Sequence, residues 1–199
     1  MKSLCRTTAA CALAALAGCS IVKSSRIRGD WEQVDRQRVK RLAIVTQPHP
    51  AQEPKLGELW STLAARQVDL KRSFIIKDIQ SAGDDATFDP LAHCGEGIEG
   101  VLWLRPDVKR QGEGVEAAVT GRLLRCVDGE EVWSAEAAGS WGTHDEGLEQ
   151  TIADYTAEFG PEVTPYVAAT YRLLLATLET LPDPVLTEED TAEKIEHGL

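Results

Sequence analysis

The residues with the most chemistry to offer are His144, Asp145 and Glu146, three consecutive side chains able to give and take protons. An imidazole beside carboxylates suits acid-base hydrolysis, but adjacency in sequence does not make side chains converge, and no nucleophile motif accompanies them. They read better as a solvated loop that enters a helix. Cys94 and Cys126 are the next candidates. His93-Cys94 has no second Cys or His at ligand spacing, and His49, His144 and His197 complete no zinc pattern, so neither a metal nor a cofactor is expected. Gly95, Gly97 and Gly100 match G-x-G-x-x-G literally. A dinucleotide loop follows a strand and opens a helix, whereas these glycines precede Val101-Leu-Trp-Leu104, which reads as a strand, and Glu96 and Glu99 would meet phosphates with like charge. They read as a turn.

At 199 residues the chain is long enough for one core and short for two. Acids outnumber bases 32 to 21, for a net charge of −11. That balance argues against nucleic-acid binding, where each phosphate contact needs a Lys or Arg.

The amino terminus is organised differently from the rest. Lys2 and Arg6 precede a small, apolar run from Thr7 to Gly18, and no acid occurs before Asp30. Such a layout is that of a secretory signal peptide over residues 1–18. About a dozen apolar residues fall short of the roughly 20 a spanning helix needs. The run ends in Leu16-Ala17-Gly18-Cys19, which resembles the lipobox of bacterial lipoproteins. The resemblance implies that Leu16, Ala17 and Gly18 are read by the signal peptidase and that Cys19 carries a diacylglycerol thioether. Cleavage before Cys19 and acylation of the new amino terminus, commonly with palmitate, would follow. The partner implied is membrane lipid, and Ser20, where inner-membrane members carry Asp, implies the outer membrane with the body facing the periplasm.

Export removes Cys5 and Cys11, and lipid occupies Cys19, which leaves Cys94 and Cys126. In an oxidising compartment they are either a disulfide or two separate buried thiols. Processing also divides the charge. Residues 20–41 hold seven bases and three acids, net +4, while residues 42–199 hold 12 bases and 29 acids, net −17. Residues 19–40 are therefore expected to form an anchor and basic tether, with Lys23, Arg26 and Arg28 near anionic headgroups or simply solvated.

The elements that must position all this are legible from period. Arg41-Leu-Ala-Ile-Val-Thr46 reads as a buried strand, Leu56, Leu59, Trp60, Leu63 and Ala64 as a helix running to about Arg72, and Phe74–Ile79 as a second strand. This is a βαβ unit with parallel strands. Val115, Ala117, Val119, Gly121 and Leu123 alternate with polar residues, as do Trp133, Ala135, Ala137, Gly139 and Trp141. Only a three-residue loop, with Gly129 in the left-handed region, pairs 123 with 133 and 115 with 141 and so puts both stripes on one face. Arg125 would then face Glu131. Small residues between Trp133 and Trp141 leave room for a helix, and two follow, one bearing Leu148, Ile152, Tyr155 and Phe159, the other Val167, Tyr171, Leu174, Leu178 and Leu181. Asp183 onward, with six acids and no sustained period, is expected to be an acidic flexible tail, residues 182–199. The expected fold is a single α/β domain over 41–181, with a mixed sheet of about five strands packed by one N-terminal and two C-terminal helices.

Over residues 40–181 this order resembles the periplasmic α/β domain of envelope-assembly lipoproteins of the curli-secretion and penicillin-binding-protein-activator types. The best local match runs from Gly121-Arg-Leu123 to Asp128-Gly-Glu-Glu-Val-Trp-Ser134. The chain also resembles an uncharacterised class of outer-membrane lipoproteins. Together these imply a non-enzymatic accessory that docks an envelope protein, with Leu124, Trp103, Trp133 and Trp141 as docking surface where exposed and core where not. The other readings are a small-molecule or transporter-auxiliary binder with a pocket near Gln47–Pro54 and the hydrolase above.

Overall fold

The computed structural model describes residues 20–48, 54–83 and 87–198. The signal segment, Leu16, Ala17, Gly18 and Cys19, His49, and the middle of the Gln47–Pro54 turn lie outside the described residues. Strands β1 (Val22–Ile27), β2 (Arg41–Thr46), β3 (Ile75–Ser81), β4 (Gly100–Gln111), β5 (Gly114–Arg125) and β6 (Glu131–Gly142) form one sheet in the order β1-β6-β5-β4-β2-β3. Helices α1 (Pro54–Lys71), α2 (Glu149–Phe159), α3 (Thr164–Leu178) and α4 (Glu188–His197) complete the domain. The class is α/β with an open mixed sheet.

The βαβ unit forms as the pattern predicts, with β2 parallel to both β3 and β4. Leu56, Leu59, Trp60, Leu63 and Ala64 of α1 are all buried against it. The hairpin takes the predicted register, with Val115 opposite Trp141, Val119 opposite Ala137 and Leu123 opposite Trp133. Gly129 supplies the left-handed residue at φ 74°, and its N–H donates to the Arg125 carbonyl at 2.8 Å. At Gly121 a Cβ would stand 2.9 Å from the Trp133 ring, so the absent side chain is the seat of the indole. The Trp133 N–H reaches the Thr180 carbonyl just beyond α3, at 3.0 Å. Helices α1 and α3 cover this face of the sheet.

Five expectations are corrected. The sheet has six strands rather than five, because Val22–Ile27 pairs antiparallel with β6 and takes an edge. The segment that follows is not a tether either, since Trp31 and Val39 are buried in the core and Asp35 is fully enclosed. Strand β4 does not stop at Leu104 but continues through Pro106 to Gln111. β2 ends at Thr46, opposite Leu104, so beyond that point β4 has a free flank that tolerates a residue without an N–H. Arg125 does not face Glu131; it binds Asp35 and Asp128, and Glu131 meets Arg122 at 3.4 Å.

The fifth correction is the tail. Residues 188–197 form α4, opened by a capping box in which Thr187 and Asp190 satisfy each other's N–H groups. It packs beside β3, and its acids meet Lys40 of the expected tether together with Arg41 and Lys77. Asp190 is bound by Lys40 at 2.6 Å and Arg41 at 2.8 Å, Glu193 by Arg41 and by Lys77 at 3.0 Å. Lys194 returns the favour to Asp69 at 3.1 Å. The Lys40 ammonium, then the Thr187 N–H, hold the Asp190 carboxyl far below the usual carboxylate range, and Arg41 and Lys77 lower Glu193. A depressed folded-state pKa means this stability is complete above the unfolded value and is lost as pH falls below about 4. We expect α4 amides to lose protection in acid, measured against the intrinsic exchange rate at the same pH, before the sheet opens. Asp190→Ala should produce the same local release at neutral pH, costing about 2 kcal/mol of α4 protection by hydrogen exchange.

Candidate functional site: the open sheet face

Alternation in β4, β5 and β6 sends one set of side chains into the core and the other to a face that, among the described residues, none of α1–α4 covers, with the segment before β4 reaching only its Trp103 end through Phe88. Strand pairing arranges that open face in rows. Trp103, Arg122, Ser134 and Arg26 make one row, and Arg105, Thr120, Glu136 and Ser24 the next. Asp107, Ala118 and Ala138 follow, then Lys109, Glu116 and Ser140. Trp103 is half-buried between two guanidiniums, Arg105 at 5.5 Å and Arg122 at 5.7 Å from its ring. The last two rows form a groove of about 310 Å³, because Ala118, Ala138 and Gly139 leave space between the charged side chains of Asp107, Lys109 and Glu116 on one side and Lys23 on the other.

Of the expected docking residues, Trp133 and Leu124 are buried. Trp141 is partly buried and folds back over Gly139, where a Cβ would lie 2.5 Å from its ring. Lys23 and Arg26 are exposed on β1, with the Lys23 ammonium donating to the Ser20 carbonyl at 2.8 Å. Arg28 pairs with Asp30 at 2.7 Å. β1 escapes sequence reading because its only apolar residues are Val22 and Ile27; its one signal is Lys23 and Arg26, charges of the kind that protect a sheet edge.

Cys94 and Cys126 are joined in a disulfide, Cα to Cα 5.5 Å, at the opposite end of the sheet. It fastens the segment before β4 to the end of β5, over a second small core of Ala43, Val45 and Val101. Gly95 and Gly97 lie in that turn, Gly97 at φ 75°, and Gly100 opens strand β4 rather than a helix.

His144, Asp145 and Glu146 do form the loop entering α2. Asp145 is gripped by the Arg172 guanidinium at 3.0 and 3.1 Å and by the Gly147 N–H, and Arg172 first, then that N–H, lowers its pKa. The carboxylate thus orients the loop against α3. All three loop residues border a groove of about 600 Å³ along α2, whose floor includes Ile152, Ala153 and Ala157. Near the expected pocket, Gln47 and Pro48 are buried, and Pro48 packs against Gly57 of α1. Among the described residues, no group of three or more His, Cys, Asp and Glu side chains is placed to hold a metal, and no helix is long and apolar enough to cross a membrane.

No protein-family model and no curated protein matches the chain. Solved structures do. Lipoprotein GNA1162 from Neisseria meningitidis is 15% identical with a TM-score of 0.42, over 60% of this chain and 96% of that one. An uncharacterised lipoprotein B from Nitrosomonas europaea is 14% identical with a TM-score of 0.28, over 78% and 91%. The PelC dodecamer from Paraburkholderia phytofirmans is 16% identical with a TM-score of 0.50, over 75% of this chain and 91% of that one, and it is with this protein that the chain shares its fold.

Proposed function

We propose that the chain is an outer-membrane-anchored, periplasm-facing lipoprotein acting as a non-enzymatic accessory or adaptor in envelope assembly or transport. One observation carries the reading: strand β1 begins at Val22, three residues after the lipobox cysteine, so acylation at Cys19 would hold the open sheet face and an open strand edge at the membrane. Two or more acyl chains suffice for stable anchoring. The solved relative PelC is a dodecamer, and self-association through the β1 edge is one form the adaptor role would take here.

Metabolic labelling with palmitate should mark the protein and not Cys19→Ala. Photo-crosslinkers at Thr120 and Arg26, in intact envelopes, should give discrete adducts with an envelope protein or a second copy. Recovery no better than from an unrelated acidic domain on the same anchor would sink the adaptor role. The apolar groove along α2 favours a second reading, a small-molecule or transporter-auxiliary binding lipoprotein. In that case Ala153→Trp, which fills the groove, would abolish function while leaving the crosslinks intact.

A further inference from the structure

Between Cys19 and β1 there are only Ser20 and Ile21, and Ile21 is already fixed, its carbonyl accepting the Ala138 N–H at 2.9 Å. Three residues of chain reach at most about 11 Å, so an acylated Cys19 cannot hold the body away from the bilayer. The strand directions say which part is held. β1 runs against β6, so it starts where β4 and β6 finish and where the β4–β5 turn lies. Ile21 is level with Ala138, Ala118 and Asp107, which line the groove on the open face. The turn at Gly112 projects several residues farther in the same direction.

That groove carries two ammonium groups, Lys23 and Lys109, and two carboxylates, Asp107 and Glu116, around a floor of Ala118 and Ala138. Its charges are held loosely: Lys109 meets Asp107 at 3.0 Å with its side chain 67% exposed, a pair worth little in water. A group bearing one phosphate and one ammonium satisfies both signs at once, which a purely anionic surface does not. α4 and its acids pack at the other sheet edge, where β2 and β3 begin. We propose that the anchored end of the open face docks on the bilayer, with this groove seating zwitterionic phospholipid headgroups, so that the domain stands in a fixed orientation rather than swinging on a tether.

The inference rests on acylation of Cys19, and the experiment separates the two. The mature protein is reconstituted in phosphatidylethanolamine vesicles containing some phosphatidylglycerol, with a fluorophore on Gln111→Cys at the β4–β5 turn or on Val127→Cys at the far end, where residue 127 is 82% exposed. Headgroup-borne quenchers should quench the first severalfold more than the second. A flexible Gly/Ser insertion after Cys19, or Lys23→Glu with Lys109→Glu, should remove most of that difference while the protein stays membrane-bound. Equal quenching at both sites, in protein whose amino-terminal peptide carries acyl chains by mass spectrometry, overturns the docking and leaves the anchor standing. An amino-terminal peptide without acyl chains overturns the anchor and the docking with it. Stronger quenching at Gln111→Cys in pure phosphatidylglycerol than in phosphatidylethanolamine overturns the zwitterionic assignment.

Discussion

Arg125→Met is expected to destabilise the fold by about 3–5 kcal/mol, the range seen when one member of a buried ion pair is removed. Asp35 is fully enclosed and has the Arg125 guanidinium as its counter-ion, while Arg125 also holds Asp128 at the rim through its Nε at 2.9 Å. These contacts, Asp128 first and Asp35 after it, raise the Arg125 pKa, so the cation is present at every pH the protein meets. Removing it leaves a fully enclosed carboxylate without its counter-ion and without water to replace the lost partner. Asp35→Leu combined with Arg125→Met should recover most of the loss, because the cost lies in the unpaired charge rather than in the absence of a pair. Denaturant midpoints of the four proteins, at unchanged m, measure this. A single Arg125→Met variant as stable as the parent would mean that Asp35 reaches water.

This pair also marks where sequence reading stops. The core was legible because local period reports it: two alternating stripes around Val127-Asp128-Gly129 admit only one register that buries both, and the α1 stripe has the helical spacing. Trp31, Asp35, β1 and α4 had no such period. Their positions depend on partners far along the chain, Asp35 with Arg125 and Lys40 with Asp190, 150 residues apart. A stretch such as Glu188–His197 reads as a solvated tail because its acids are counted without the bases that meet them. The candidate surface was hidden for a similar reason. Its groove takes Lys23 from β1, Lys109 from β4, Ala118 from β5 and Ala138 from β6. None of these is unusual alone, and only the sheet order makes them neighbours. The proposal built on the Cys19 motif likewise depends on β1 beginning at Val22, which the motif does not reveal.

Breaking the disulfide, by reduction or by Cys94→Ser with Cys126→Ser, is expected to cost about 3 kcal/mol. The bond closes a loop with a sequence separation of 32, and its loss returns that much freedom to the unfolded chain. The effect should also have a location. Between Phe88 and Ile98 the chain caps the small second core, with Phe88 6.2 Å from Trp103, and Leu91 packs on Gly129. Hydrogen exchange should therefore quicken first across residues 87–99, and the Trp103 near-ultraviolet signal should weaken, while α1 and α3 keep their protection. Cys126 is also the neighbour of Arg125, and its N–H donates to the Glu99 carbonyl at 3.0 Å, while the Glu99 carboxylate accepts the Lys40 and Arg41 N–H groups. Disulfide and buried ion pair thus brace one end of β5 together. Their losses should fail to add, by more than the roughly 0.5 kcal/mol allowed for independent sites. Strict additivity would show that the cross-link acts on the unfolded chain alone.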